Sequence, residues 1–352
     1  MLVVNPVNQR LLFASSNVPT LTGYKGDLIP GTEISLIVGE KNAHDFRNAA
    51  AKAREPGLSS IIIGFRFPRK QGRYDAIVHT HNGRTFVEFE PSPDRGQNAR
   101  QALDLTRSVI HRLGREESVS RAATVAAKLV RAMLGYDRVM VYRFLHNGAG
   151  RVIAEAKSST LKSFLGQHFP ASDIPAQARK LYVSNTIRMI SDTASVPVEL
   201  EPRIAFSEEP VDMSFAQLRS VSPIHCQYLN NMGVSASLSI SIIVDGALWG
   251  LIACHHDRPK VTALPLRIGA ELFGQYFSLH IAACERRATL QAAAEARMKL
   301  DKLVSRLSTN NSMRDDLLAQ LPEFAKLVSS HGAALWMDDK WFETGDVLDE
   351  TS

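Results

Sequence analysis

The sequence predicts an α+β protein: two domains of antiparallel sheet with flanking helices, joined to one long helix and followed by the opening of a third domain. Three observations carry this. Short apolar strands come in pairs around the tight-turn signals His81-Asn82-Gly83, His146-Asn147-Gly148 and Asp245-Gly246. Helical patterns at Ala43–Arg54, Ala99–Leu113 and Val119–Leu134 separate the strand groups. From Leu266 to Leu307 one helical pattern runs with no Pro, and with no Gly after Gly274. A length of 352 residues, at roughly 150 per domain, fits two domains and part of a third.

Residues 1–95 form the first unit. Leu2–Val4 and Leu11–Ala14 flank an Asn5-Pro6 turn and start a hairpin. A charged helical patch spans Ala43–Arg54, and Ser59–Phe67 is expected as a buried strand. Tyr74–Thr80 and Thr85–Glu90 then pair around the His-Asn-Gly turn. Strand, short helices and three antiparallel strands is the order of PAS-type sensor folds, which this unit resembles. Pro91-Ser92-Pro93 marks a boundary, and Ala99–Leu113 is the helix of a connecting segment, 96–116.

The second domain, 117–285, opens with Val119–Leu134, apolar on one face at Ala122, Ala123, Val125, Ala126, Leu129 and Val130. Asp137–Phe144 and Val152–Ala156 alternate as strands, and Ser235–Val244 with Ala247–His255 is the clearest hairpin of the chain. Its first strand puts Leu238, Ile240 and Ile242 on one face and Ser235, Ser237, Ser239 and Ser241 on the other. The aliphatic face meets core; the hydroxyl face is either solvated or lines a polar pocket. The long helix, including a linker at 286–310, bridges domains or pairs with a second copy. Asn310-Asn311-Ser312 ends it, and 311–352 adds a helix, Leu317–Val328, and a strand, Ala333–Met337.

The net charge of +5 is uneven: the segment from Asp315 onward carries −7 and residues 1–314 carry +12. No Lys/Arg run interleaved with aromatics marks a nucleic-acid surface, so the arginines are either solvated or hold a small anionic ligand. The apolar stretch Leu238–Cys254 is broken by Ser239, Ser241 and Asp245 and is no membrane span. Leu2–Val4 stops at Asn5 without a signal-peptide core. Cys226, Cys254 and Cys284 are too few and too scattered for a disulfide framework, and the expected location is the cytoplasm.

Catalytic patterns are weak. Gly233-Val234-Ser235-Ala236-Ser237 lacks the last glycine of a nucleophile elbow and enters a strand, not a strand-turn-helix. His225-Cys226 and Cys254-His255-His256 offer zinc-type ligands without the bite of a C-x-x-C, so no metal is expected. Two other segments are more informative. In residues 169–175 two prolines bracket Asp173, which stiffens a loop and fixes where its carboxylate and carbonyl point; residues 222–234 set His225, Cys226 and Tyr228 side by side.

Residues 169–182 (FPASDIPAQARKLY) and 222–234 (SPIHCQYLNNMGV) resemble the two signature stretches of the bilin-binding GAF domain of bacterial phytochromes. Residues 136–144 (YDRVMVYRF) and 248–256 (LWGLIACHH) are similar to that family in the same order. The likeness runs the length of the chain, as PAS, GAF and the start of a PHY domain. It implies a photosensory module, not an enzyme, holding biliverdin, a linear tetrapyrrole. The Asp173 carbonyl and a water on His225 would bond the central pyrrole nitrogens, with Ile174, Pro175, Ser222 and Cys226 in the same site. Arg188 and Arg219 match the propionate-binding arginines, and Ser237 and Ser239 match hydroxyls on the propionate side, which gives the hydroxyl face a pocket to line. His255 would bond the ring D carbonyl, and Tyr142, Phe169, Tyr182 and Tyr228 would surround that ring. Red light would drive Z/E isomerisation. The signal would pass through a homodimer, paired along the long helix, to an output such as a histidine kinase or response regulator. The rival expectation is a PAS–GAF dimerising scaffold that has lost its chromophore.

The departures concern attachment. Bacterial members bond biliverdin through a cysteine upstream of the PAS domain, a segment this chain is expected to lack. Other members use a cysteine immediately before the histidine, where this chain has Ile224. Cys226, one residue after His225, is either the attachment nucleophile or a packed thiol.

Overall fold

The computed structural model describes residues 1–53, 55, 57–92, 97–202, 210–307, 313–327 and 330–347. They form a unit of Met1–Ala282 and a unit of Ala283–Ser352. The first unit begins with β1 (Leu2–Val4), β2 (Leu11–Ser15), α1 (Val18–Thr22), α2 (Ile34–Val38) and α3 (Glu40–Lys52). Next come β3 (Ser60–Phe65), β4 (Tyr74–His81), β5 (Arg84–Pro91), α4 (Gln97–Leu113) and α5 (Val119–Leu134). Then follow β6 (Arg138–Phe144), β7 (Gly150–Lys157), β8 (His168–Phe169), α6 (Ala176–Ser184), β9 (Ile187–Ile190) and β10 (Leu200–Glu201). The last elements of this stretch are α7 (Pro223–Asn231), β11 (Ala236–Val244), β12 (Ala247–His256) and α8 (Leu264–Leu307), which continues into the second unit. Among the described residues, no helix is long and apolar enough to cross a membrane.

The first sheet has the order β10-β2-β1-β5-β4-β3. Leu2, Val4, Val78, Val87 and Phe89 meet Ile34, Ile37, Phe46 and Ala49 from the helices to form its core. The expectation for Ser59–Phe67 needs correction. That segment supplies β3 at the edge of the sheet, and its alternate side chains, Ile61 and Ile63, meet solvent, with Ile63 53% exposed. An apolar run signals a strand without saying whether a neighbour covers its second face.

The second sheet, β8-β7-β6-β12-β11-β9, packs one face on α5 and the first part of α8. Helix α5 starts where the Ser118 side chain accepts from the Arg121 N–H and stops at Gly135, whose φ of 65° lies in the left-handed region that favours glycine. Its small residues Ala122, Ala123, Ala126 and Ala127 let it lie close to the sheet, and Phe273, Phe277 and Ile281 fill the space beside it.

Two features join the sheets within this unit. Strand β10 comes from the loop between β9 and α7, yet it pairs with β2 of the first sheet, Leu200 beside Ser15 and Glu201 beside Ala14. Strand β5 is buried on both faces: Val87 and Phe89 enter the first core, and Phe86, Glu88 and Glu90 lie on the opposite side. There the Glu90 carboxylate receives two bonds from the Arg267 guanidinium, 2.9 and 3.0 Å, and Arg267 is only 2% exposed. His79 lies flat on Phe86 with ring centroids 4.7 Å apart, and burial pushes its pKa down to about 4.

In the second unit α9 (Met313–Leu327) precedes a hairpin of β13 (Gly332–Met337) and β14 (Lys340–Gly345). Strand β14 has no counterpart in the sequence reading because its turn is Asp338-Asp339, at φ 52° and 56°, without the glycine that usually marks such a turn. The expected helix end at Asn310-Asn311-Ser312, the boundary residue Pro93 and the helix end at Val328 lie outside the described residues.

Replacing Arg267 with Ala leaves the Glu90 carboxylate buried without its partner. Urea unfolding is expected to show a loss of about 3–5 kcal/mol. Lys326→Ala, which breaks an exposed pair with Glu323, should cost less than about 0.5 kcal/mol.

Candidate functional site

Five of the expected site residues stand on β6, β9, β11 and β12 of the second sheet, and the register gathers them on one face. Ser239 pairs with Arg188 and Ala253, Ser237 with Ile190 and His255, and Leu251 with Ser241 and Tyr142. Directly paired residues share a face, so Tyr142, Arg188, Ser237, Ser239 and His255 stand together, opposite Leu238, Ile240 and Cys254 in the helical core. The hydroxyl face is covered, with Ser237 and Ser239 each 8% exposed and Ser241 3%. Ser241 donates to the Tyr182 carbonyl at 2.6 Å and so ties α6 to the sheet.

The aspartate loop forms a second wall. Phe169 ends β8, and Pro170 and Pro175 bracket a 3₁₀ turn, Ala171–Asp173. Arg179 of α6 staples this loop: it donates to the Ile174 carbonyl at 2.8 Å and the Gly148 carbonyl at 2.6 Å, with its guanidinium 4.5 Å from the Phe144 ring centre. Phe169, Ile174 and Tyr182 pack on Tyr142 and Leu251 of the sheet. The Tyr142 ring fills the space that a Cβ on Gly150 would need.

Helix α7 supplies the third wall. Ser222 precedes it, Pro223 occupies its first turn, and His225 and Tyr228 fall three apart on one face with rings 12° from parallel. The Tyr228 hydroxyl donates to the Asp173 carboxylate at 3.1 Å, which closes the helix onto the aspartate loop. Burial, and then the Asp173 charge, push the Tyr228 phenol up to about 12, so it keeps its proton. Ile224 is 82% exposed, whereas Cys226, two residues on, is a half-buried free thiol. Ser222 and Pro175 are both exposed.

Two cations dominate the electrostatics. Arg188 on β9 donates to the carbonyls of Gln217, Arg219 and Ser220, and Arg219 to those of Ser214 and Ala216. These partners are neutral. Burial, and next the neighbouring Arg219, push Arg188 down to about 10, and burial lowers Arg219 as well. A carboxylate placed between them would relieve both desolvated charges. Burial and then Arg188 lower His225, leaving it neutral near pH 7. His255 is pushed down to about 4 by burial and then by Arg138, and its Nδ1 is buried with no hydrogen-bond partner among the described residues. Cys254 faces the core with its thiol pushed up by burial, so Cys254-His255-His256 does not converge on one point.

Residues 1–92 match the PAS fold family model and residues 118–282 the GAF domain model. Over 349 residues the chain is 32% identical to cyanobacterial phytochrome B of a Nostoc species, covering 99% of this chain and 46% of that one. It is 42% identical over 232 residues to the bacteriophytochrome of Pseudomonas aeruginosa, covering 64% of this chain and 32% of that one. The wild-type photosensory core module of the Stigmatella aurantiaca phytochrome superposes with a TM-score of 0.82 at 33% identity, over 98% of this chain and 69% of that one. The chain belongs to the phytochrome family. It spans about half or less of the length of these curated relatives.

In this phytochrome module the sequence reading passed over Arg179, although it lies inside residues 169–182. Its role depends on carbonyls at Gly148 and Ile174 that only the fold brings within reach. Gly150, the first residue of β7, carries no signal in the sequence, because the ring that needs its missing side chain comes from β6.

Gly150→Ala drives a methyl group into the Tyr142 ring, and thermal unfolding is expected to show a loss of about 1–3 kcal/mol. The depressed histidines set a pH dependence. His79 and His255, each held near 4, stay unprotonated in the folded chain where unfolding restores the ordinary histidine value of 6.5. Their contribution to stability is whole above about pH 6.5 and is lost as pH falls towards about 4. Urea unfolding across that range should show this decline, with a shallower slope in His255→Gln.

Proposed function

We propose that this chain is a phytochrome photosensor that binds a linear tetrapyrrole, biliverdin, between the second sheet, the aspartate loop and α7. The observation that carries the reading is the combination, at one buried sheet face, of Arg188 on the sheet and Arg219 on the loop beside it, both desolvated with neutral partners, and His255, whose Nδ1 has no partner among the described residues. Arg188 and Arg219 take the propionates, with the Ser237 and Ser239 hydroxyls beside them. The Asp173 carbonyl and His225 face the pyrrole nitrogens, with Ile174, Pro175 and Ser222 lining the site. His255 meets the ring D carbonyl, and Tyr142, Phe169, Tyr182 and Tyr228 enclose that ring. When bound, the bilin supplies red-light absorption and a double bond that isomerises. This chain's residues shield that bond from water and hold the Asp173–Tyr228 pair, whose hydrogen bond is free to re-form with other partners after light. Cys226 is our candidate for covalent attachment, since its thiol is half-buried on the helix that bears His225.

The PAS domain is assigned to residues 1–95, the GAF domain to 117–285 and the opening of a PHY domain to 311–352. Leu272, Leu279 and Leu290 are exposed along α8 at 47%, 72% and 71%, which supports pairing with a second copy of the chain. The output, a histidine kinase or response regulator, would receive its signal through that helix.

Adding biliverdin to the purified protein is expected to give a red absorption band that shifts on red and far-red illumination. Zinc-induced fluorescence surviving denaturation, and lost in Cys226→Ser, would mark that thiol as the attachment point. A red band lost on denaturation marks a non-covalent pocket. Absence of any band would refute the photosensor reading and leave a dimerising scaffold.

A further inference from the structure

The segment 217–220 is held from two sides. Its carbonyls, at Gln217, Arg219 and Ser220, accept from Arg188 of the second sheet. Its N–H groups turn the other way, to the first domain: Gln217 donates to Glu88 Oε1 at 3.0 Å and Leu218 to Glu88 Oε2 at 2.6 Å. Glu88 sits on β5, on the face turned from the first core, and is 1% exposed. One N–H on each oxygen is the geometry of a carboxylate acceptor. His79 stands 3.8 Å from Oε1 on the same face.

Arg219 depends on this segment more than Arg188 does. Its guanidinium bonds to the carbonyls of Ser214 and Ala216, in its own stretch of chain, and to the Asn185 side-chain oxygen at 3.1 Å, so two of these three anchors move with the segment. Arg188, by contrast, is fixed by the ladder between β9 and β11. Burial leaves the Glu88 carboxyl raised on balance, with the Leu218 and Gln217 N–H bonds, the Met1 amino group and Arg267 pulling the other way. Its negative charge in turn supports Arg219 against desolvation.

We infer that Glu88, a residue of the PAS domain outside the binding pocket, is the positioning residue for the arginine that receives a propionate carboxylate, so that ligand affinity in one domain is set partly by a side chain of the other. The inference rests on the binding reading above. Replacing Glu88 with Gln turns one acceptor into an N–H donor that faces another N–H, which releases the segment and Arg219 with it.

The test compares biliverdin with its dimethyl ester, in which both propionates are masked, by titrating the 352-residue chain and reading the red band. Glu88→Gln is expected to weaken biliverdin about tenfold and the ester less than about twofold. Combined with Arg219→Ala it should add nothing to the loss from Arg219→Ala alone. Equal weakening of both ligands, or no weakening of either, overturns the inference. Should Glu88→Gln fail to fold, Glu88→Asp keeps the charge on a shorter arm and must show the same preference for losing biliverdin; equal loss there also overturns it. A wild-type chain that takes up neither ligand overturns the binding reading itself, a result separate from a wild type that binds and a variant that does not discriminate.

Discussion

The constraint on which the site depends is the burial of β11 on both faces. One face must supply Leu238, Ile240 and Ile242 to a close-packed helical core. The other must be covered without solvent and yet carries hydroxyls, which need partners once buried. A strand in this position has no freedom of register, because a slip of one residue would put serines into the core and aliphatic side chains into the site. Arg188, Tyr142 and His255 inherit their positions from that fixed strand through the ladders on either side.

Charge follows from the same enclosure. Buried cations are tolerated here because backbone carbonyls from a non-helical, non-sheet segment turn towards them, and that segment can turn its carbonyls one way only by turning its N–H groups the other. The neighbouring domain supplies the acceptors on that side. Thus Glu88 and Glu90, which read as unremarkable strand residues, are buried carboxylates with different partners: one holds a loop and the other a helix. Folding of the two sheets and formation of the site are coupled through these contacts, not through apolar packing alone.

Local signals made much of the fold legible. The apolar face of Val119–Leu134 marked α5, whose limits the Ser118 cap and Gly135 then set in the structure, and Asp245-Gly246 marked the β11–β12 hairpin. Pattern reasoning failed where a distant partner decides the outcome: β3 looked buried because nothing in its own residues reveals that it ends the sheet, and β14 lacked a glycine turn. The serine face of β11 was ambiguous for the same reason, since alternation says which residues share a face and not what covers it. Motif resemblance named the site residues that periodicity could not. It did not reach Arg179, Gly150 or Glu88, whose roles arise from contacts across loops and between domains.

Strand β10 bears on modularity. A sheet edge with open N–H and C=O groups is a template for pairing with another chain, and here the edge of β2 is closed by two residues that belong, in sequence, to the other domain. The boundary between the PAS and GAF domains along the chain is therefore not a boundary in the folded protein. Excising the first 92 residues as a free-standing module would uncover a sticky edge, and deleting the loop between β9 and α7 would do the same from the other side. For anyone shortening or recombining these domains, the smallest transplantable piece is the pair.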